Sequence, residues 1–520
     1  RMHLAVADAL RTGRPAPGRH GEIAHHLSLA GPDHAVDAGR SFLQAGREAL
    51  DSGAWSLAES LYAQASQVAP DEPAVRAGAL TGLARAAHLQ RRREEAEDLI
   101  DEVLAITRAH RLPLEQAEAV LVLVGRAGRG ATTRLDDLQQ AALLREALDG
   151  IAELEARSPI ARSPHLDEAT RAERVRRDTS TCHLEGELAQ ALTLTAPLEE
   201  RRALAEHAVS LARSLDPPDT HLTARALLIE RLHRLGPEHV DDRLANLDQI
   251  LAIAPSGRSV DATLAALTYR HEDLLLCGRR DASAHALDEA VALAERSQHP
   301  YWRWATAAWR GLAALVAGDL DRAEELAFDA AAIGVDEPGA AACLGVNLVD
   351  IRLYQGRAGE VLDLLAAAAD DAPHIPCYRA VLALCAAEAG DVDLAARSYE
   401  PFRARRFAAI PEDSNRLLTL VVLADAAVQL ADAASADVLS ELLAPAADLQ
   451  AVLNCYGGGG AYWGPVAHHL ARLAALASTC DGQAEEIARQ TTPDAALYRQ
   501  ALVRLEALLA DELRRAQHGA

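Results

Sequence analysis

Residues 39–70 read GRSFLQAGREALDSGAWSLAESLYAQASQVAP, and the spacing of the small residues in this stretch decides the fold. Counting Gly39 as position 1, Gly46, Gly53, Ala58 and Ala65 stand at positions 8, 15, 20 and 27, with Tyr62 at 24 and Pro70 at 32. Small residues at 8, 20 and 27 let two helices, and then the next pair, approach closely where a large side chain would hold them apart. A glycine at 15 permits the left-handed turn between the helices, and a proline at 32 cannot continue the second one.

This is the tetratricopeptide pattern over a whole 34-residue frame. It returns at 304–335, where Gly311, Gly318, Ala323 and Ala330 take the same four positions. A third copy places Ala383, Gly390, Ala395 and Tyr399 at 8, 15, 20 and 24. A fourth places Gly356, Leu365, Ala368 and Pro373 at 15, 24, 27 and 32. Weaker copies follow Ala84/Ala96 and Gly278/Ala290, and Glu199–Leu215, Leu222–Pro255 and Leu417–Leu443 have the same helix-pair character with degraded signatures. At about 34 to 45 residues per pair the chain holds roughly ten to thirteen helix pairs. The spacing therefore predicts an all-α, tetratricopeptide-like helical-hairpin solenoid. Ser158-Pro159 and Ser163-Pro164 mark the main boundary, giving an N-terminal array at 20–156 and a C-terminal superhelix at 157–520. The segments Arg11–Arg19, Gly125–Thr133, Arg157–His165 and Asn454–Pro465 read as turns or linkers.

Composition agrees. Of 520 residues 50% are hydrophobic but only 3% aromatic, so Ala, Leu and Val fill the interior, which suits close helix packing and disfavours an all-β domain. There are 52 basic and 76 acidic residues, a net charge of −24, and every basic residue is Arg. Such a surface opposes phosphate backbones and anionic membranes, so no nucleic-acid or membrane partner is expected for this region. Seven cysteines without a CxxC pair fit a reducing cytoplasm. No apolar run is long enough to span a bilayer, and the opening at Arg1 reads as a piece of something longer.

Candidate chemistry is sparse. The run Gly457–Gly460 and the stretch Gly125–Thr133 invite a phosphate-loop reading, but that motif needs a Lys, which the chain lacks. Gly457–Gly460 is expected to be a flexible loop between helices, with Tyr456, Tyr462 and Trp463 keeping open a contact to a ligand or neighbouring domain. The pairs His25-His26 and His468-His469 point about 100° apart on a helix and do not converge on a metal; interface or solvent positions are expected. Tyr301, Trp302, Trp304 and Trp309 crowd the first helix of a well-formed repeat. First helices line the concave face of such superhelices, so this cluster is a candidate docking floor, the alternative being packing against the preceding repeat. Arg91–Arg93 and Arg403, Arg405 and Arg406 read as solvated helix ends. No catalytic grouping, metal site or cofactor is expected, and no enzymatic activity.

Several segments resemble a known family. The opening residues 3–10, then 20–27 and Ala30-Gly31, resemble the junction after the winged-helix part of large actinobacterial signal-transduction ATPases of the STAND class. The likeness continues through 200–209, 235–244 and 300–304 and ends with Gly460-Ala-Tyr-Trp-Gly-Pro-Val-Ala-His-His469, similar to a Trp-Gly-Pro element near the C-terminus of those proteins. Some members carry LuxR-type or antibiotic-regulator-type DNA-binding output, and others a nucleotide cyclase domain. The resemblance implies that residues 1–19 end a winged-helix region or linker. It further implies that the rest is a cytoplasmic sensor array controlling its own NTPase and winged-helix modules, which this chain lacks, in response to an effector or partner protein. The alternative expectation is a free-standing interaction scaffold taking a basic peptide or an apolar helix, since a chain of this charge suits an acidic tail poorly.

Overall fold

The computed structural model describes residues 1–478 apart from 13–15, 17, 91, 125–135, 161–165, 254–259, 338 and 456. The glycine stretch at 125–133 and Tyr456 lie outside the described residues. The described helices are α1 (Met2–Thr12), α2 (Arg19–Ala30), α3 (Ala35–Asp51), α4 (Trp55–Val68), α5 (Pro73–Leu89), α6 (Arg93–His110), α7 (Pro113–Val124), α8 (Asp137–Arg157), α9 (Glu168–Ala191), α10 (Leu198–Ser214), α11 (Thr220–His233) and α12 (Val240–Ile253). They continue as α13 (Val260–Leu276), α14 (Arg280–Ser297), α15 (Pro300–Val316), α16 (Leu320–Ile333), α17 (Ala340–Tyr354), α18 (Leu362–Asp371), α19 (Pro376–Glu388), α20 (Val392–Arg403), α21 (Arg416–Gln429), α22 (Ala436–Leu443) and α23 (Val466–Ser478). Between α22 and α23 lie the strands β1 (Gln450–Cys455) and β2 (Gly458–Pro465).

The repeat spacing becomes geometry at its position-15 glycines. Gly53, Gly278, Gly318, Gly356 and Gly390 all have left-handed backbone, with φ of 76, 70, 81, 72 and 83°. In each turn the amide after the glycine donates to the carbonyl five residues back, as from Ala54 to Ala49 at 2.8 Å and from Asp319 to Ala314 at 3.0 Å. This satisfies carbonyls that a helix end leaves open. Asp319 and Asp391 then cap the following helices by accepting from Arg322 N and Leu394 N. The turn from α21 to α22 has the same shape but uses Ala431 at φ 54°.

The chain folds as two compact units, with α1–α9 in the first, α11–α23 and the strands in the second, and α10 contributing residues to both. In the first unit the buried Tyr62 ring fills the space that Gly46 and Gly82 leave: a Cβ on either would stand 2.6 or 2.4 Å from it. Packing in this unit continues from α8 onto α9, past the Ser-Pro breaks.

In the second unit α13/α14, α15/α16, α19/α20 and α21/α22 are packed pairs, α17 leads through the short 3-10 turn Ala358–Val361 to α18, and the copy read at 304–335 coincides with α15 and α16. β1 and β2 form an antiparallel hairpin with Val452 opposite Tyr462 and Cys455 opposite Gly458. The stretch expected to be a flexible loop or linker is thus a β-hairpin. Its strands lie against the first helices α13, α15, α17 and α21. A lone two-stranded hairpin is marginal in water, and this one is held by the helices beneath it.

Candidate functional site

The hairpin rests on the backbone of α15, which is why its residues are glycines. A Cβ on Gly459 would meet Leu312 Cβ at 2.9 Å and both Ala308 O and Trp309 Cα at 3.0 Å. One on Gly458 would meet Ala308 Cβ at 3.1 Å and Cys343 Sγ at 3.3 Å.

Helix side chains then bind the main chain of β2. Asn347 Nδ2 donates to the Gly459 carbonyl at 2.8 Å and the Gly460 carbonyl at 2.6 Å. Tyr462 N donates to Asp350 Oδ2 at 2.8 Å, and Tyr354 OH donates to the Tyr462 carbonyl at 2.9 Å. Asn347, Asp350 and Tyr354 are spaced i, i+3, i+7, one face of α17. From α15, Trp309 Nε1 donates to the Gly457 carbonyl at 3.0 Å. The hairpin's own side chains add Asn454 Nδ2 to Glu272 Oε2 at 2.8 Å and Tyr462 OH to Gln450 Oε1 at 2.9 Å. Arg280 Nη2 donates to Tyr462 OH at 3.2 Å.

The aromatic residues singled out in the sequence are brought to this region, but as core. Tyr301, Trp302, Trp304, Trp309, Tyr462 and Trp463 are all buried, none more than 5% exposed. Tyr301 stacks edge-on against Trp302 at 4.8 Å and Trp304 at 5.5 Å, and the buried rings present no open floor. Trp302 Nε1 donates to Asp261 Oδ1 on α13 at 2.6 Å. Trp304 covers Gly334, and Trp309 faces the hairpin and stacks edge-on against His271 at 4.9 Å. The large rings use their area to join neighbouring helix pairs. The polar residues Asn347, Asp350 and Tyr354 belong to no sequence motif and escape a reading by motif; the available signal is a polar Asn and Asp inside the apolar run 340–354. His469 is buried between α23 and α21, with Nε2 donating to the Trp463 carbonyl at 2.8 Å and Nδ1 against Asp425 at 3.0 Å. Arg403, Arg405 and Arg406 are exposed, and Cys377 and Cys385 are both buried.

Beneath the hairpin lies a buried ionic cluster. Arg231 grips Asp273 with Nε to Oδ2 at 3.0 Å and Nη2 to Oδ1 at 2.7 Å, and its guanidinium sits 4.4 Å over the Tyr269 ring. Burial opposes the charge on Arg231, but Asp273 and Glu272 overcome it and push its pKa up; burial pushes the Tyr269 hydroxyl up to about 12. Among the described residues no three His, Cys, Asp or Glu side chains gather as metal ligands, and no helix is long and apolar enough to cross a membrane.

His271 gives the second unit a pH dependence. Its Nδ1 faces Ser283 Oγ at 2.7 Å and Ser283 O at 2.9 Å, while Nε2 is buried without a partner among the described residues. Burial pushes its pKa down to about 4, against a smaller opposing effect of the Ser283 carbonyl. The folded value lies below the unfolded one, so the unfolded chain binds the proton first. This stability is fully present above about pH 6.5 and is lost as pH falls toward 4, by about 3 kcal/mol from this group alone. His233, pushed down to about 3 by burial and then by Arg201, adds a parallel loss. Urea unfolding measured from pH 7 to 4 is therefore expected to show a shallower pH slope in His271→Phe than in the natural chain; equal slopes refute the assignment.

Comparison with family models and with curated proteins returns no match. Among solved structures the chain is similar to a signal transduction ATPase with numerous domains (STAND) carrying a tetratricopeptide repeat sensor, from Pyrococcus horikoshii. The identity is 12% over 80% of this chain and 50% of that one, with a TM-score of 0.36. It is also similar to yeast Tom70, at 12% identity over 99% of each chain and a TM-score of 0.34. The chain spans about half the length of the Pyrococcus protein. By its own helix pairs, glycine turns and packing, the chain is an all-α solenoid of the tetratricopeptide type carrying one β-hairpin among the described residues.

Proposed function

We propose that this chain is the regulatory, partner-sensing solenoid of a cytoplasmic STAND-type ATPase regulator, controlling an attached NTPase and, through it, a transcriptional output. The observation that carries the reading is the occupied first-helix face of the second unit: side chains there bind an extended polypeptide by its main chain. A surface of that kind recognises protein segments rather than performing chemistry. The segments that resemble STAND regulators, from residue 3 to His469, support the attachment to an NTPase, and the net charge of −24 argues that DNA contacts belong to other modules.

A solenoid can control an attached module only if its ligand prefers one arrangement of the helix pairs over another. The test is ATP hydrolysis by the NTPase portion alone and joined to this chain. The joined protein is expected to turn over at least about fivefold more slowly, the lower end of ordinary allosteric coupling. Equal rates in the two forms overturn the proposal.

A further inference from the structure

We propose that the first-helix face of the second unit is a receptor for an extended, glycine-containing strand, and that residues 450–465 are its intramolecular occupant, displaced by a partner segment of the same chemistry. The inference rests on reading the unit as an interaction module, and it names both the partner class and the autoinhibitory contact.

Three observations carry it. The first is that α17 and α15 hold β2 by its backbone: Asn347, Asp350, Tyr354 and Trp309 between them bind the carbonyls of Gly457, Gly459, Gly460 and Tyr462 and the amide of Tyr462. Main-chain recognition carries over to any strand that can reach the same register, whereas side-chain packing does not. The second is steric. The Ala308–Trp309 backbone and the Leu312 side chain leave no room for a Cβ at position 459, and Ala308 Cβ and Cys343 Sγ crowd one at 458, so an occupant needs a glycine at 459 after a small residue, followed by a residue that can bury an aromatic ring where Tyr462 lies.

The third is the chemistry of the buried surface. The helix pairs from α19 to α22 meet through an apolar cluster that includes Leu382, Leu384, Val421 and Leu439. Under the hairpin lie Asn347, 5% exposed, and Asp350, 1% exposed. Polar groups of this kind rehydrate when an occupant leaves, which offsets part of the cost of uncovering the apolar side chains against which Tyr462 packs, Trp309, Leu312 and Ile351 among them. Because the hairpin is joined to α22 and α23, it competes at an effective concentration on the order of millimolar. A partner therefore registers only where the hairpin is weakened or the partner is held nearby.

The probe is a fluorescein-labelled synthetic peptide, YGGGGAYWGP, matching residues 456–465. Gly459→Val blocks seating of the chain's own hairpin while leaving the helices. The peptide is expected to bind this variant at micromolar concentration by anisotropy, to bind the natural chain at least tenfold more weakly, and to lose at least tenfold when Asn347→Ala is added to Gly459→Val. Equal binding with and without Asn347, or no binding to a Gly459→Val chain that keeps its helical circular dichroism, overturns the proposal.

Asn347→Ala alone guards against a variant that does not fold. Hydrogen exchange at amides 457–463 is expected to quicken about tenfold or more, as removal of two buried hydrogen bonds implies, while α13 and α19 keep their rates. Uniform acceleration through the unit makes the hairpin a core strut and overturns the proposal. Peptide binding does not depend on an attached NTPase, so this result and the ATPase result fail separately.

Discussion

Trp309→Ala is expected to lower the stability of the second unit by about 3–5 kcal/mol, the usual cost of emptying a buried aromatic site. In a unit of this size that is a fall in melting temperature of roughly 10 °C. Trp309 is fully buried, and two things depend on its ring: the edge contact with His271 and the bond from Nε1 to the Gly457 carbonyl. Loss of the ring therefore removes packing and also leaves a buried carbonyl without its donor. Trp55→Ala is the control. That side chain is 41% exposed at the start of α4, and its loss should stay within about 0.5 kcal/mol. Thermal unfolding followed by circular dichroism separates the two. A Trp309→Ala chain that melts like the natural one would restore the reading of this tryptophan as an open docking floor.

The same residue shows how far the sequence reaches. The turns are legible because a left-handed backbone selects glycine, and five of these turns use one: Gly53, Gly278, Gly318, Gly356 and Gly390. The pairing of Gly46 with Tyr62 is legible because both fall inside one repeat. Where Ala431 takes the left-handed position, the signature fades although the turn is the same. The hairpin is not legible. Gly457–Gly460 has the composition of a turn, and its strand character comes from α15 and α17, more than a hundred residues earlier in the chain. A tertiary surface here overrides local propensity. Burial of Trp302 and Trp304 is equally invisible, since the helical face a ring occupies does not reveal whether a neighbour covers it.

The ionic cluster is hidden for a related reason: Glu230-Arg231 and Glu272-Asp273 read like solvated helix charges, and only the fold brings them together across 42 residues. Arg231→Met is expected to cost about 3–5 kcal/mol, because it strands a buried carboxylate. Asp273 is 0% exposed, and the remaining cation, Arg243, lies 3.0 Å from one oxygen without a well-aligned hydrogen bond. Replacing both partners, Arg231→Met with Asp273→Leu, removes the buried carboxylate but also takes Asp273 from Arg243, so it should recover only part of that loss, although a buried ion pair adds little over well-packed apolar side chains. The perturbation should also reach the hairpin. Arg231 Nη2 lies 3.2 Å from Glu272 Oε2, the oxygen that accepts from Asn454, and Asn454 in turn accepts from Gly457 N at 2.7 Å. In the single variant, exchange at the Gly457 amide is expected to rise beyond what the global loss of stability explains, because Glu272 is released from its cation. If urea unfolding of the double variant shows the full loss of the single one, the cluster contributes through packing rather than charge. If the Gly457 amide follows the unit as a whole, the chain of contacts from Arg231 to the hairpin transmits nothing.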